Sequence, residues 1–147
     1  MHSIQSLLSL PYLGFLDMNN AAYVATRKLL LSQANPYFSA GAKFSGIGYA
    51  CFEFFPFPAG SDIFPLVITA IFGTDNDDEI MTSLYLIVNN TAGLGLIHES
   101  QSIYDSTSYT QSWFAWANSY FAEMLLDLAK RKPGLIFKTN EPYVPGH

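Results

Sequence analysis

In "WFAWANSYFAEMLLDLAKRK", residues 113–132, apolar side chains recur three and four residues apart, and this run constrains the fold more than any other. Trp113, Phe114, Ala117, Phe121, Leu125 and Leu128 share helical spacing. Ser112 stands at the N-cap position, basic residues fill the last turn, and Pro133-Gly134 ends the run. Three further segments read as helices. "AAYVATRKLLLS" follows Asn19 or Asn20 as cap, and its Tyr23, Leu30 and Leu31 can share a face. "DIFPLVITAIFG" has Ser61 or Asp62 as cap, tolerates Pro65 in its first turn and ends at Gly73; apolar nearly all round, it is expected to be buried. "DDEIMTSLYLIVNNTAG" follows Asp75 or Asn76, with Ile80, Leu84, Ile87 and Val88 as its stripe and Gly93 as its stop.

No run alternates with a period of two, so the expected class is all-α. Long loops at 33–60 and 91–111, rich in aromatics and glycine, separate the helices. Loops of that length inside a helical domain are uncommon unless they carry function. The last residues, "KTNEPYVPGH", read as an extended tail.

The 147 residues suffice for one domain. Half are hydrophobic and only 13% are charged, a share that suits a chain whose apolar surface is normally covered by further polypeptide. The net charge of −5 and the scattered basic residues argue against nucleic acid. The longest apolar runs fall short of the ~20 residues that cross a bilayer, so no membrane span is read, and the first residues lack the basic region of a signal peptide. Cys51, the single cysteine, reads as a buried small hydrophobe.

The stretch "GLGLIHESQSIYD", residues 93–105, places His98 beside Glu99. A helical zinc site needs a second histidine four residues away, and the other histidines, His2 and His147, lie at the termini; neither a metal nor a cofactor is expected. Ser100 lacks the glycine pattern of a nucleophile elbow. Carboxylate chemistry at Glu99 is left, against the alternative of a glutamate bonded to loop amides. Asp105 reads as a turn residue, and Asp75, Asp77 and Asp78 as helix-start residues. Trp113 and Trp116 could offer a platform to a pyranose, although their spacing favours the core for at least one of them.

Read together, "GLIHES…YDSTSYTQSWFAWANSYFAEMLLDLA" resembles the C-terminal signature of glycoside hydrolase family 125. The likeness extends upstream through "SLLSLPYLGFLDMNNAAYVATRKLLLSQANPYFSAGAKFSGIG" and "GTDNDDEI". The resemblance implies an inverting, metal-independent exo-α-1,6-mannosidase built on an (α/α)6 barrel, of which residues 1–138 would be a C-terminal portion of about two helical hairpins, with 139–147 as tail. It implies that Glu99 is the general base that activates water, with His98, Trp113 and Trp116 contributing to an α-mannoside site. The family's general acid is an aspartate far upstream of the signature, and no residue here matches it.

Two departures stand out. After "GIG" the family pattern continues Ser-Pro-His, whereas this chain reads "YACFEFFPFPAGSDIF"; and Gln111 stands where the family has an arginine. The resemblance leaves three readings: a piece of a mannosidase, a non-catalytic paralogue that binds a partner or itself through exposed apolar helix faces, or a small helical binding protein. The triplet Asn89-Asn90-Thr91 suits glycosylation and thus a secretory or extracellular setting.

Overall fold

The computed structural model describes residues 7–36, 38–40, 45–47, 63–99, 101–102, 104–105 and 107–137. Cys51, His2, His147, the Ser61 and Asp62 cap positions and the 139–147 tail lie outside the described residues.

Helix α1, Ala21–Leu30, starts at Asn20, whose Oδ1 accepts from the amides of Ala22 and Tyr23 at 3.0 and 3.3 Å. Helix α2, Ile63–Phe72, is buried from Ile68 through its end, as its uniformly apolar sequence requires. Helix α3, Asp77–Val88, is capped by Asn76 Oδ1, which accepts from Glu79 N–H at 3.1 Å. Helix α4, Ala115–Arg131, and the short α5, Pro133–Ile136, follow the His98-Glu99 loop.

Strands β1, Phe38–Ala40, and β2, Ser45–Ile47, pair antiparallel, with Phe38 opposite Ile47. This small pairing is added to an otherwise helical fold, and the all-α class stands. Three residues per strand are too few to show alternation, so it left no periodic signal.

The core lies where α2, α3 and α4 meet. Ile68, Ile71, Ile80, Leu84, Ile87, Ala117, Met124 and Leu128 form it, joined by Ile97 from the loop. Each such large side chain contributes roughly 1.5–3 kcal/mol by leaving water. A second, smaller cluster gathers Leu30, Leu31 and Phe38 around buried Leu8.

Several expected boundaries and faces differ from those observed. Helix α3 ends at Val88 rather than at Gly93, because Asn90 Nδ2 donates to Leu86 carbonyl at 2.6 Å and satisfies an acceptor that the helix would otherwise leave open. Val88 is 56% exposed and is not part of the buried stripe. Helix α4 begins at Ala115, and Ser112 does not cap it: extended Phe114 occupies the cap position, with no side-chain capping bond. The buried face of α4 runs through Ala117, Met124 and Leu128. Leu125 is only partly buried beside it. Trp113 and Trp116 are 59% and 53% exposed, so neither belongs to the core.

Arginines from both flanking helices close the C-terminal end of α2. Ala70, Ile71 and Thr74 are buried, and their carbonyls need donors. Arg27 of α1 donates to Ala70 O at 3.1 Å. Arg131 of α4 donates to Ile71 O at 2.9 Å and Thr74 O at 2.8 Å, and pairs with Asp75 and Asp127 at 2.9 and 2.6 Å. Arg27 also pairs with Glu79 at 2.6 Å, and Thr74 Oγ1 donates to the same carboxylate at 2.8 Å. Gly73 completes the elbow between α2 and α3. A Cβ there would collide with the Tyr23 hydroxyl, which itself donates to Leu8 O at 3.0 Å.

Tyr12 ties the segment before α1 to α2 and α4. Tyr12 donates to Glu123 Oε1 at 2.5 Å and packs its ring on Phe72 and Tyr120. That hydrogen bond to a carboxylate, with burial adding to it, pushes the Tyr12 phenol up to about 12.

Replacing Arg131 by Met keeps the aliphatic packing but removes the guanidinium from the Ile71 and Thr74 carbonyls and from Asp75 and Asp127; urea denaturation is expected to show a loss of about 2–4 kcal/mol. The same change at Lys132, whose bonds to Asp77 and Asp75 O are more exposed, is expected to cost under about 1 kcal/mol.

Candidate active site

The path to Glu99 begins at Ile97, whose side chain is part of the main core. Its backbone is clipped to the start of α4. Asn118 Oδ1 accepts from Ile97 N–H at 3.0 Å, while Asn118 Nδ2 donates to Ile97 O and Phe114 O, both at 2.8 Å. Phe114 N–H also donates to Ile97 O at 2.9 Å. This exchange explains the late start of α4: with its amide given to Ile97, Phe114 stays extended, and the helix begins after it.

His98, next in the chain, is fully buried. Its ring stacks on Tyr109 with centroids 3.9 Å apart and planes 4° from parallel. Its Nδ1 lies 2.8 Å from Gln111 O; a carbonyl only accepts, so this nitrogen carries the proton. Among the described residues no hydrogen bond reaches its buried Nε2. His98 thus joins the two arms of the loop. A bridge between Gln101 and Tyr109 and a bond from Ser102 N–H to Ser108 O, 2.9 Å, join them again. Asp105 starts a turn, accepting from the amide and hydroxyl of Thr107 at 2.9 and 2.7 Å.

Glu99 emerges from these clips half-buried, facing an open pocket of about 480 Å³. Gln111, Ser112, Trp113, Phe114 and Ala115 line the rest of it. Among the described residues the only side chain on the carboxylate is Thr110, at a long 3.5 Å. No arginine or lysine pairs with it among those residues, so both oxygens can meet a water or hydroxyl. Trp113 brings an exposed indole to the same opening. Trp116 is not part of the lining and turns its edge to Phe114, centroids 6.0 Å apart.

Of the four residues singled out from sequence, the pocket brings together Glu99 and Trp113. His98 lies behind Glu99 and Trp116 lies beside the pocket. Asn118, Tyr109 and the Gln111 carbonyl were not singled out. A polar residue inside an apolar helix pattern was the only available signal for Asn118, and a backbone carbonyl has none. A larger cavity of about 580 Å³ lies beside α1, but its Arg27, Glu79 and Asp75 are held in ion pairs.

The model of the metal-independent α-mannosidases, glycoside hydrolase family 125, matches residues 2–126. The chain belongs to this family. It is 46% identical over 138 residues to the meiotically up-regulated gene 157 protein of Schizosaccharomyces pombe, a match that covers 92% of this chain and 26% of that protein. It is also similar to a Streptococcus pneumoniae metal-independent α-mannosidase, solved as a non-productive complex with α-1,6-mannobiose. That match has 35% identity and a TM-score of 0.71, and it covers 82% of this chain and 27% of the other. The chain therefore spans about a quarter of the length of these relatives, and its helices make up part of an (α/α)6 barrel.

Asn118→Ala is expected to cost about 2–3 kcal/mol in urea denaturation, since it leaves Ile97 N–H without an acceptor inside the protein. Hydrogen exchange read at the Ile97 amide should accelerate in the variant, while amides in the middle of α3 keep their protection.

Proposed function

We propose that this chain supplies the water-activating side of an inverting exo-α-1,6-mannosidase, with Glu99 as general base and the general acid contributed by polypeptide outside these residues. The observation that carries the reading is a carboxylate with no basic partner among the described residues, opening to a pocket with an exposed tryptophan. An inverting hydrolase needs a base that deprotonates water on one face of the sugar and an acid, ~6.5–9.5 Å away, that protonates the leaving oxygen on the other. Glu99 meets the requirements of the first role. Its carboxylate accepts the proton of a water lodged in the pocket, and its charge favours the oxocarbenium character that develops at the anomeric carbon.

The other groups divide the remaining work. Trp113 offers an apolar face for a pyranose ring. His98 acts through position: stacked on Tyr109 and bonded to Gln111 O, it sets the direction in which Glu99 leaves the loop. Gln111 replaces the arginine of the family pattern with a neutral amide, so any contact to sugar at that point lacks a fixed charge. One carboxylate cannot serve both faces of the reaction. The 147 residues alone are expected to be inactive.

A second reading, association through apolar surface, is favoured by the side chains that the core does not cover. Phe15 is 79% exposed, Leu13 66%, Tyr85 60% and Leu126 54%. In a whole barrel such faces meet neighbouring helices; on this chain alone they favour a second copy.

For the catalytic reading, the segment is grafted in place of the corresponding quarter of the Streptococcus pneumoniae α-mannosidase and assayed on α-1,6-mannobiose. If that chimera hydrolyses the disaccharide with inversion at the anomeric carbon, Glu99→Gln is expected to lower kcat by about 10²–10⁴-fold with little change in KM. An unchanged kcat would remove Glu99 from the base role. For association, light scattering on the isolated chain is expected to show species larger than a monomer, growing with concentration; a monodisperse monomer would count against it.

A further inference from the structure

Asn89-Asn90-Thr91 is the single Asn-X-Ser/Thr triplet in the chain, and nothing in the proposed hydrolase chemistry uses it. The structure separates the duties of its two asparagines. Asn90 is half-buried and spends its amide on Leu86 O, ending α3. Asn89 is the exposed C-cap residue, held by its backbone N–H to Tyr85 O at 3.0 Å. Among the described residues no hydrogen bond engages its side-chain amide.

We propose that Asn89 is the acceptor of an N-linked glycan. Its amide nitrogen attacks the anomeric carbon of a lipid-diphosphate-linked oligosaccharide. The new C–N bond forms as the C–O bond to the diphosphate breaks; the lipid diphosphate leaves with the bonding electrons, and the nitrogen gives up one proton to the transferase. The folded chain accommodates the product without rearrangement. Residues 92–96 are all exposed, turning outward through positive φ values of 49° at Ala92, 78° at Gly93 and 67° at Gly95. On this chain by itself a sugar on Asn89 enters solvent and leaves the core untouched. It also stands near exposed apolar side chains, Val88 at 56%, Leu94 at 49% and Leu96 at 44%, which a hydrated glycan would shield. None of these residues lines the Glu99 pocket, so the modification is independent of the hydrolase reading. The 46% identical relative is a yeast protein, so chains of this type occur in an organism with a secretory pathway.

The full chain is expressed in yeast behind a cleavable secretory leader, and whole-cell extract and medium are analysed together. The expected result is one discrete mobility step that a peptide N-glycosidase removes, leaving aspartate at position 89 by mass spectrometry. Asn89→Gln and Thr91→Ala should abolish the step. Asn90→Gln, which keeps the triplet, should retain it. Circular dichroism of the glycosylated chain and of Asn89→Gln should show the same helix content. An unmodified Asn89 peptide in the unaltered chain overturns the proposal, as does a mobility step that survives Asn89→Gln or a glycosylated chain that has lost helix.

Discussion

The fold turns on how the C-terminal end of α2 is satisfied. This helix is almost wholly apolar and is buried from Ile68 to its end, so its last carbonyls need donors from the protein. Arg27 and Arg131 bring guanidinium groups from α1 and α4 to the Ala70, Ile71 and Thr74 carbonyls. Positive charge at that end also complements the helix dipole. Two helices far apart in sequence are thereby fixed against a third, and Asp75, Asp127 and Glu79 balance the charge around them. The bare Gly73 lets the Tyr23 hydroxyl fit into the elbow, which no larger residue would allow.

The candidate site inherits its geometry from that arrangement. With α4 seated by Arg131 and by Met124 and Leu128 in the core, its N-terminal end becomes a firm edge. Asn118 clips the Ile97 backbone to that edge, and the stacked His98 closes the loop behind it. Glu99 is the first residue beyond these constraints. A carboxylate placed by its neighbours' clips, with one long bond from Thr110 and no basic partner among the described residues, matches what the proposed general base would need. The same edge sets Trp113 before the helix, in solvent, where the proposed site would use its aromatic face.

Much of this was legible beforehand because it is local. The helices were marked by spacing, caps and terminators, since each of those signals acts within a turn or two. Asn20 and Asn76 cap their helices among the positions anticipated, and α2 is buried from Ile68 to its end, in keeping with its uniform apolarity. Family membership was readable from the His-Glu-Ser loop and the tryptophan-rich run after it. The misread features depended on partners elsewhere. Trp113 and Trp116 fit the period of a buried stripe, yet the core seam of α4 passes through Met124 on a neighbouring face. Ser112 is a good cap residue, but the Phe114 amide already had an acceptor in Ile97.

The sequence by itself determined which segments become helices, where Glu99 falls between them and to which family the chain belongs; these follow from short-range backbone preferences and from residue order. Only the tertiary structure decided that α3 stops five residues before Gly93, that His98 is a buried brace, and that Asn118 anchors the loop. It also decided that Glu99 and Trp113 share one opening. Each of those outcomes rests on a buried donor or acceptor finding its partner across the chain, and a hydrogen bond between distant residues leaves no periodic trace in the order of amino acids.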